Sequence, residues 1–369
     1  MYLSEKNNNY NEKIEKYRRE IDKIDDELVD LLNKRGNTVI NIGNLKKSLN
    51  LDIEQPTREK ELIERIKSKS TIFKQSSIEA IWNEILSASK VIQGFISKVG
   101  YLGPMGTFTH QAALEFFPKS GTQFISANNT LEIFENIEKD ILEYGVIPIE
   151  NSLQGTVRET LDYLIEKELV IYGEVELRIV QNLICLKDSD ISKIKNIFSH
   201  PQAFAQTKTW LKANLPNANL IDVSSTADAV QRVRKLNDET YAAIGTEFAS
   251  NVYDLKVLNS KIEDDPSNYT RFLVISKKEN PLKAEKMKTS VVFVTKHTPG
   301  ALYWVLKIFS DANINLLKIE SRPRRKGRWE YIFLMDFEGD KDDPKAKEAI
   351  ETMQTSVIWY KILGCYPMK

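Results

Sequence analysis

Four cations stand at spacings that could hold an anion against a helix. Arg18, Arg35, Lys46 and Arg58 lie in a stretch almost free of strand signals. At about 100° per residue, Arg35 and Lys46 fall within roughly 20° of each other, three turns apart. Arg18 falls about 100° from Arg35 on the same count, so it should not enter the same pocket from the same chain. In a pair of long helices, Arg18 of a partner chain can reach it. Ser89 and Gln93 sit one turn apart on one face of a later helix. On spacing alone, such charges are ordinarily solvated helix surface. The chemistry they could do is to grip a compact anion and to aim donors at an oxygen that gains charge.

A second group of polar residues gathers in four short motifs: Gly103-Pro104-Met105-Gly106-Thr107-Phe108-Thr109-His110, Pro148-Ile149-Glu150-Asn151-Ser152, Ser199-His200-Pro201-Gln202, and Asn268-Tyr269-Thr270-Arg271-Phe272. The first three follow strand-like runs and precede helical ones. In α/β sheets such loops meet at the carboxyl ends of strands, where ligands bind, and N–H groups at helix starts favour anions. Gly-Pro-Met-Gly is neither a dinucleotide fingerprint nor a phosphate loop. No Gly-x-Ser-x-Gly elbow is present to make Ser152 or Ser199 a hydrolase nucleophile. Singly, each motif is turn and cap chemistry.

Taken together, the motifs carry a resemblance. Residues 14–93 resemble the all-helical chorismate mutases: Arg18, Arg35, Gly43, Lys46, Arg58, Glu59, Ser89 and Gln93 match that pattern in order, with a short deletion between the second and third helices. The resemblance implies that Arg35, Arg58 and a partner's Arg18 hold the carboxylates of chorismate. It also implies that Lys46 and Gln93 donate to the ether oxygen, that Glu59 holds a hydroxyl, and that Ser89 contacts the substrate. Gln55 departs from the pattern, which often has Asp there; that bears on hydroxyl binding. A pericyclic rearrangement needs a folded conformer and aimed donors, with no nucleophile.

Residues 99 to 278 resemble prephenate dehydratase, most specifically at Asn268–Phe272. That implies two α/β lobes around a cleft, similar to periplasmic binding proteins, with one lobe at about 99–176 plus 256–280 and the other at 177–255. It points to Thr270 as the donor at the departing hydroxyl. Asn151, Ser152, Ser199, His200 and Gln202 are candidates for orienting prephenate, and Arg271 for its carboxylates. His200 could serve as an acid or as a structural group. Finally, His297-Thr298-Pro299-Gly300-Ala301-Leu302 and Glu320-Ser321-Arg322-Pro323 resemble the phenylalanine-binding ACT domain of such enzymes. Gly300, Ala301, Leu302, Glu320, Ser321, Arg322 and Pro323 are then the implied L-phenylalanine contacts, at an interface between two such domains.

The elements that must position these groups follow from periodicity. Ile14, Tyr17, Ile21, Ile24, Leu28 and Leu31 recur every three or four residues, which predicts one helix over 10–48, roughly 57 Å long. A module of this size cannot cover that stripe alone, so a helical homodimer is expected. Gln55-Pro56-Thr57 predicts a break and a new helix with Thr57 as N-cap. That helix carries Leu62, Ile63 and Ile66, and a third carries Ile78, Ile81, Trp82, Ile85 and Leu86. From Val99 onward, apolar runs at Val99–Leu102, Gly145–Ile149, Leu169–Tyr172, Ile194–Phe198 and Tyr241–Ile244 alternate with helical stretches, as in α/β folds.

After a lysine-rich linker, Leu282–Lys288, the chain reads strand (Ser290–Thr295), helix (Gly300–Ala312), strand (Asn315–Glu320), strand (Trp329–Phe337), helix (Pro344–Met353), strand (Val357–Leu363). That is the ferredoxin-like βαββαβ order. The expected fold is therefore multidomain: an all-α module at 10–95, a two-lobed α/β domain at 99–280 and an α+β domain at 289–369.

Composition bounds the rest. Lys+Arg and Asp+Glu both number 52 in 369 residues, and this balance argues against nucleic acid or an anionic membrane as main partner. Two cysteines and three histidines make neither a disulfide framework nor a metal cluster, and no cofactor is expected. The polar N-terminus lacks a signal-peptide core, and no apolar run approaches a membrane span, so a cytoplasmic protein is expected. Three functions remain open: a bifunctional enzyme, a dehydratase whose helical module only dimerises, and an amino-acid-binding regulator.

Overall fold

The computed structural model describes residues 2–49, 51–323 and 331–368. It divides into two compact units, residues 1–96 with 119–121 and residues 97–118 with 122–369.

The first unit is helical: α1 (Tyr2–Ser48), α2 (Pro56–Lys67) and α3 (Gln75–Ile92). Gly43 sits where a Cβ would lie 2.8 Å from Gln93 Cγ, so only glycine lets the end of α3 close on α1. The expected cap at Thr57 is corrected: α2 starts at Pro56 and Gln55 is its N-cap. Proline's fixed φ and missing N–H suit the first helical position, which displaces the boundary by two residues. Within the single chain, Ile14, Tyr17, Ile21, Ile24, Leu28 and Leu31 remain 48 to 62 % exposed.

The second unit opens with β1 (Ser97–Leu102), α4 (Phe108–Phe116), β2 (Thr122–Ala127), α5 (Thr130–Glu138), β3 (Tyr144–Asn151), β4 (Gly155–Thr156), α6 (Arg158–Glu166) and β5 (Val170–Arg178). The chain then builds β6 (Asn182–Cys185), β7 (Asn196–Ser199), α7 (Pro201–Gln206), α8 (Lys208–Asn214), β8 (Asn219–Asp222), α9 (Thr226–Leu236), β9 (Tyr241–Gly245), α10 (Glu247–Val252) and β10 (Lys256–Asn259), and returns as β11 (Tyr269–Ser276). One sheet runs β2-β1-β3-β11-β5, with β4 on β3; the other runs β10-β6-β9-β7-β8. The expected return to the first lobe at residue 256 is corrected. β10 pairs antiparallel with β6, and Ile262 is still packed among Leu183, Cys185 and Ile244, so the return comes at β11.

The C-terminal part is β12 (Met287–Thr295), α11 (Ala301–Asp311), β13 (Leu316–Pro323), β14 (Tyr331–Glu338), α12 (Pro344–Ser356) and β15 (Val357–Pro367). Its antiparallel sheet runs β13-β14-β12-β15. Of the expected strand from Trp329, Trp329 itself lies outside the described residues. β12 reads as a continuous apolar run because both its faces are buried: Val291 and Phe293 pack under α11 and α12, and Val292 packs with Ile147, Ile149 and Leu161 of the first lobe. The anticipated linker is therefore short, and the strand begins inside it at Met287.

Candidate active sites

In the helical unit, α1 and α3 bring Arg35, Ser89 and Gln93 together. Arg35 Nη1 donates to Ser89 Oγ, and Gln93 Nε2 donates to the Ser89 carbonyl at 3.1 Å. Burial draws Arg35 below the usual arginine value. Gln93 Oε1 is buried without a partner, so this amide keeps capacity for a ligand. Lys46 Nζ donates to the Ile53 carbonyl at 2.8 Å. Glu59 pairs at 3.2 Å with Lys90, which also reaches Glu54. Lys90 escaped the sequence reading, although it lies one residue from Ser89. Arg18 and Arg58 are not gathered with the others: each pairs with a glutamate one turn away, Glu15 and Glu61, on exposed helix surface.

In the second unit, a cavity of about 860 Å³ opens between the two sheets, a size suited to a small organic ligand. Gly103 to Thr107 turn into α4, whose N-cap is Thr107. Gly106, at φ +95°, lies where a Cβ would be 3.2 Å from Ala249 Cα. His110 underpins this turn: its Nδ1 accepts the Gly106 N–H at 3.2 Å and its ring stacks on Tyr101 at 4.3 Å. Burial pushes its pKa down to about 4.

Asn151 knots two motifs. Its Nδ2 donates to Asn268 Oδ1 at 2.7 Å, the Tyr269 carbonyl at 3.1 Å and Thr270 Oγ1 at 2.9 Å. Its Oδ1 accepts the N–H groups of Leu153 and Gln154. Thr270 is the direct register partner of Asn151 across β3 and β11. Because its oxygen accepts from Asn151, the threonine hydroxyl can send its own proton into the cavity.

The cavity lining includes Asn151, His200, Gln202 and Thr270 from the predicted set. His200 Nδ1 caps α7 by accepting the Gln202 N–H at 3.2 Å, a structural duty at the cavity wall. Three expectations are corrected. Ser199 is fully buried and donates to the Ile244 carbonyl. Ser152 ties the Ser267 carbonyl and the Tyr269 N–H. Arg271 faces away from the cavity, because neighbours on a strand point to opposite faces. Its guanidinium reaches Glu174 at 2.7 Å and Asp336 at 2.8 Å. Although burial opposes it, the charges of Asp336, Tyr366 and Glu174 hold Arg271 above its usual pKa.

Among the described residues, the only titratable side chain lining this cavity is His200. An anion there would be met by neutral donors and by the N-termini of α4 and α9, which enter the lining at Thr107–Thr109 and Ser225–Thr226. The sequence reading missed Gln181 and Gln206, which also line it and bond to each other at 3.1 Å. Gln206 carried a signal: it follows Gln202 by one helical turn.

In the C-terminal part, Gly300, Ala301 and Leu302 line a pocket of about 540 Å³ with His297, Tyr331 and Phe333. Glu320 to Pro323 do not line it. Glu320 bonds Thr156, and Arg322 pairs with Asp162 at 2.9 Å.

Comparison with known proteins agrees with these three regions. Family models match for Chorismate mutase type II at residues 17–94, Prephenate dehydratase at 99–280 and ACT domain at 289–353. A bifunctional chorismate mutase/prephenate dehydratase of Aquifex aeolicus is 40% identical, covering 96% of this chain and 98% of that protein. One of Pseudomonas aeruginosa is 36% identical, covering 95% and 96%. The crystal structure of a prephenate dehydratase from Arthrobacter aurescens in complex with L-Phe is 31% identical, with a TM-score of 0.67, covering 73% of this chain and 90% of that one. With a half-buried arginine beside an open amide in the helices and a threonine hydroxyl at the wall of the cleft, the chain belongs to the bifunctional chorismate mutase/prephenate dehydratase family.

Proposed function

We propose that this chain rearranges chorismate to prephenate in the helical unit and converts prephenate to phenylpyruvate in the cleft. Feedback by L-phenylalanine acts through the C-terminal domain. The observation that carries the reading is Asn151 donating to Thr270 Oγ1 at the cavity wall. In the dehydratase step, the ring C–carboxylate bond breaks and carbon dioxide leaves. Its electron pair aromatises the ring and expels the ring oxygen, which takes up a proton and leaves as water. A threonine hydroxyl is a weak acid, so Thr270 works by hydrogen-bonding the departing oxygen, and the N-termini of α4 and α9 favour the dianion. In the mutase step, Arg35, Arg58 and Arg18 of a partner subunit hold the carboxylates. Lys46 and Gln93 serve the ether oxygen, Glu59 a hydroxyl, and Ser89 the substrate through its contact with Arg35.

The functional domains on this reading are 10–95, 99–280 and 289–369. The exposed stripe of α1 supports a homodimer, and L-phenylalanine binds where Gly300–Leu302 of one copy meets Glu320–Pro323 of another. Among the described residues no helix is long and apolar enough to cross a membrane, which fits a cytoplasmic setting.

The test measures chorismate loss and phenylpyruvate formation on purified full-length protein, with and without L-phenylalanine. Both activities are expected, with the dehydratase falling when L-phenylalanine is added. Failure to form phenylpyruvate from supplied prephenate would overturn the reading. Phenylpyruvate from prephenate but none from chorismate would reduce the helices to an assembly module.

A further inference from the structure

The C-terminal domain touches the hairpin that carries Asn151 through Lys318 and Glu320. Lys318, on β13, has a side chain only 14 % exposed. Its Nζ lies 2.6 Å from Glu150 Oε2, 3.2 Å from Glu320 Oε2 and 3.2 Å from Thr156 Oγ1. Thr156 also donates to Glu320. Glu150 and Thr156 are register partners across β3 and β4. Asn151 follows Glu150 and donates to Thr270 Oγ1, while Thr156 itself lines the cavity. Two carboxylates from different domains thus share one poorly solvated ammonium, one residue away from the knot that orients the reacting hydroxyl.

We propose that Lys318 is a positioning residue that couples the effector domain to Thr270 through the β3–β4 hairpin; this rests on the reading that the domain senses L-phenylalanine. An effector transmits only if some contact differs between two states. Glu320 belongs to the motif assigned to the effector. A ligand that engages Glu320 withdraws it from Thr156 and Lys318, leaving the ammonium to the β3–β4 hairpin, at Glu150 and Thr156. The hairpin then shifts relative to β11, and the bond from Asn151 to Thr270 shifts with it. All three side chains are largely covered, so salt screens this bridge less than it would an exposed pair.

Lys318→Met removes the charge and keeps the apolar stem. The experiment measures L-phenylalanine binding by calorimetry and prephenate turnover against L-phenylalanine, on wild type, Lys318→Met and Lys318→Arg. The expected result for Lys318→Met is substantial turnover without L-phenylalanine and a Kd close to wild type, with the turnover left at saturating L-phenylalanine at least about fivefold above that of wild type, the lower end of the roughly 5–150-fold span of allosteric couplings. Lys318→Arg should stay inhibited. Should Lys318→Met lose its fold, Glu150→Gln opens the same bridge from the other side and must also weaken inhibition. Normal inhibition in a folded variant overturns the role of Lys318. Wild type that neither binds nor responds to L-phenylalanine instead overturns the sensor reading.

Discussion

His110 shows how much a single buried ring controls at the first loop. Its Nδ1 receives the Gly106 N–H, and burial holds its pKa near 4 against the ordinary 6.5. Between those two values the unfolded chain binds a proton that the fold refuses. Its contribution to stability is therefore complete above about pH 6.5 and lost as pH falls toward 4. At about 1.36 kcal/mol per unit, the gap corresponds to about 3 kcal/mol. His110→Asn keeps an acceptor for Gly106 and removes the titration. Urea unfolding at pH 7 and pH 4.5 should show wild type losing about 2–3 kcal/mol more than the variant; equal losses would remove His110 as the cause. At this scale the sequence was readable where a residue's duty is local. Thr270, Asn151 and Gln202 stood in the quoted motifs and line the cavity. Arg271 was misassigned because its charge was weighed before the two-residue period of its strand. Thr270 and Phe272 line the cavity, so the residue between them faces the carboxylates of Glu174 and Asp336.

The helices and strands were legible to the extent that their periodicity is strong. The stripe on α1 and the strand-helix alternation from Val99 both appear in the structure. What escaped was pairing: β10 joins β6 rather than the first lobe, since an isolated four-residue strand carries no mark of its neighbour. Pairing between chains is the corresponding question for α1. The side chain of Arg18 is 67 % exposed and pairs with Glu15, while Arg35 is turned toward Ser89. If each mutase site joins Arg35 of one chain to Arg18 of the other, Arg18→Ala and Arg35→Ala should each abolish mutase activity alone. Coexpressed, they should regain about a quarter of wild type, because half the dimers are hybrids and each hybrid holds one intact site of two in a two-fold assembly. No recovery in a population shown to contain hybrids would place both arginines in the same chain's site or in none.

At the level of the whole molecule, the two chemistries need opposite surroundings. On the proposed reading the helical site offers cations to a substrate whose ether oxygen gains charge, with the half-buried guanidinium of Arg35 as its anchor. The cleft lining holds no Asp, Glu, Lys or Arg among the described residues, so on the proposed reading it meets its dianion with dipoles and hydroxyls. That choice suits a step in which a carboxylate must depart as neutral carbon dioxide, because a direct ion pair would stabilise the carboxylate that has to disappear. The lining residues of the two sites come from separate compact units, so each should be silenced alone. Thr270→Ala should lower phenylpyruvate formation by at least about 100-fold, the lower range for loss of a group assisting a departing atom, while chorismate is still consumed and prephenate accumulates. Arg35→Ala should do the reverse: chorismate persists, and supplied prephenate is processed at the wild-type rate. Both rates followed on each folded variant decide the matter. Loss of both activities together in Thr270→Ala, with its thermal transition intact, would mean that the sites share a structural dependence that the separate linings do not account for.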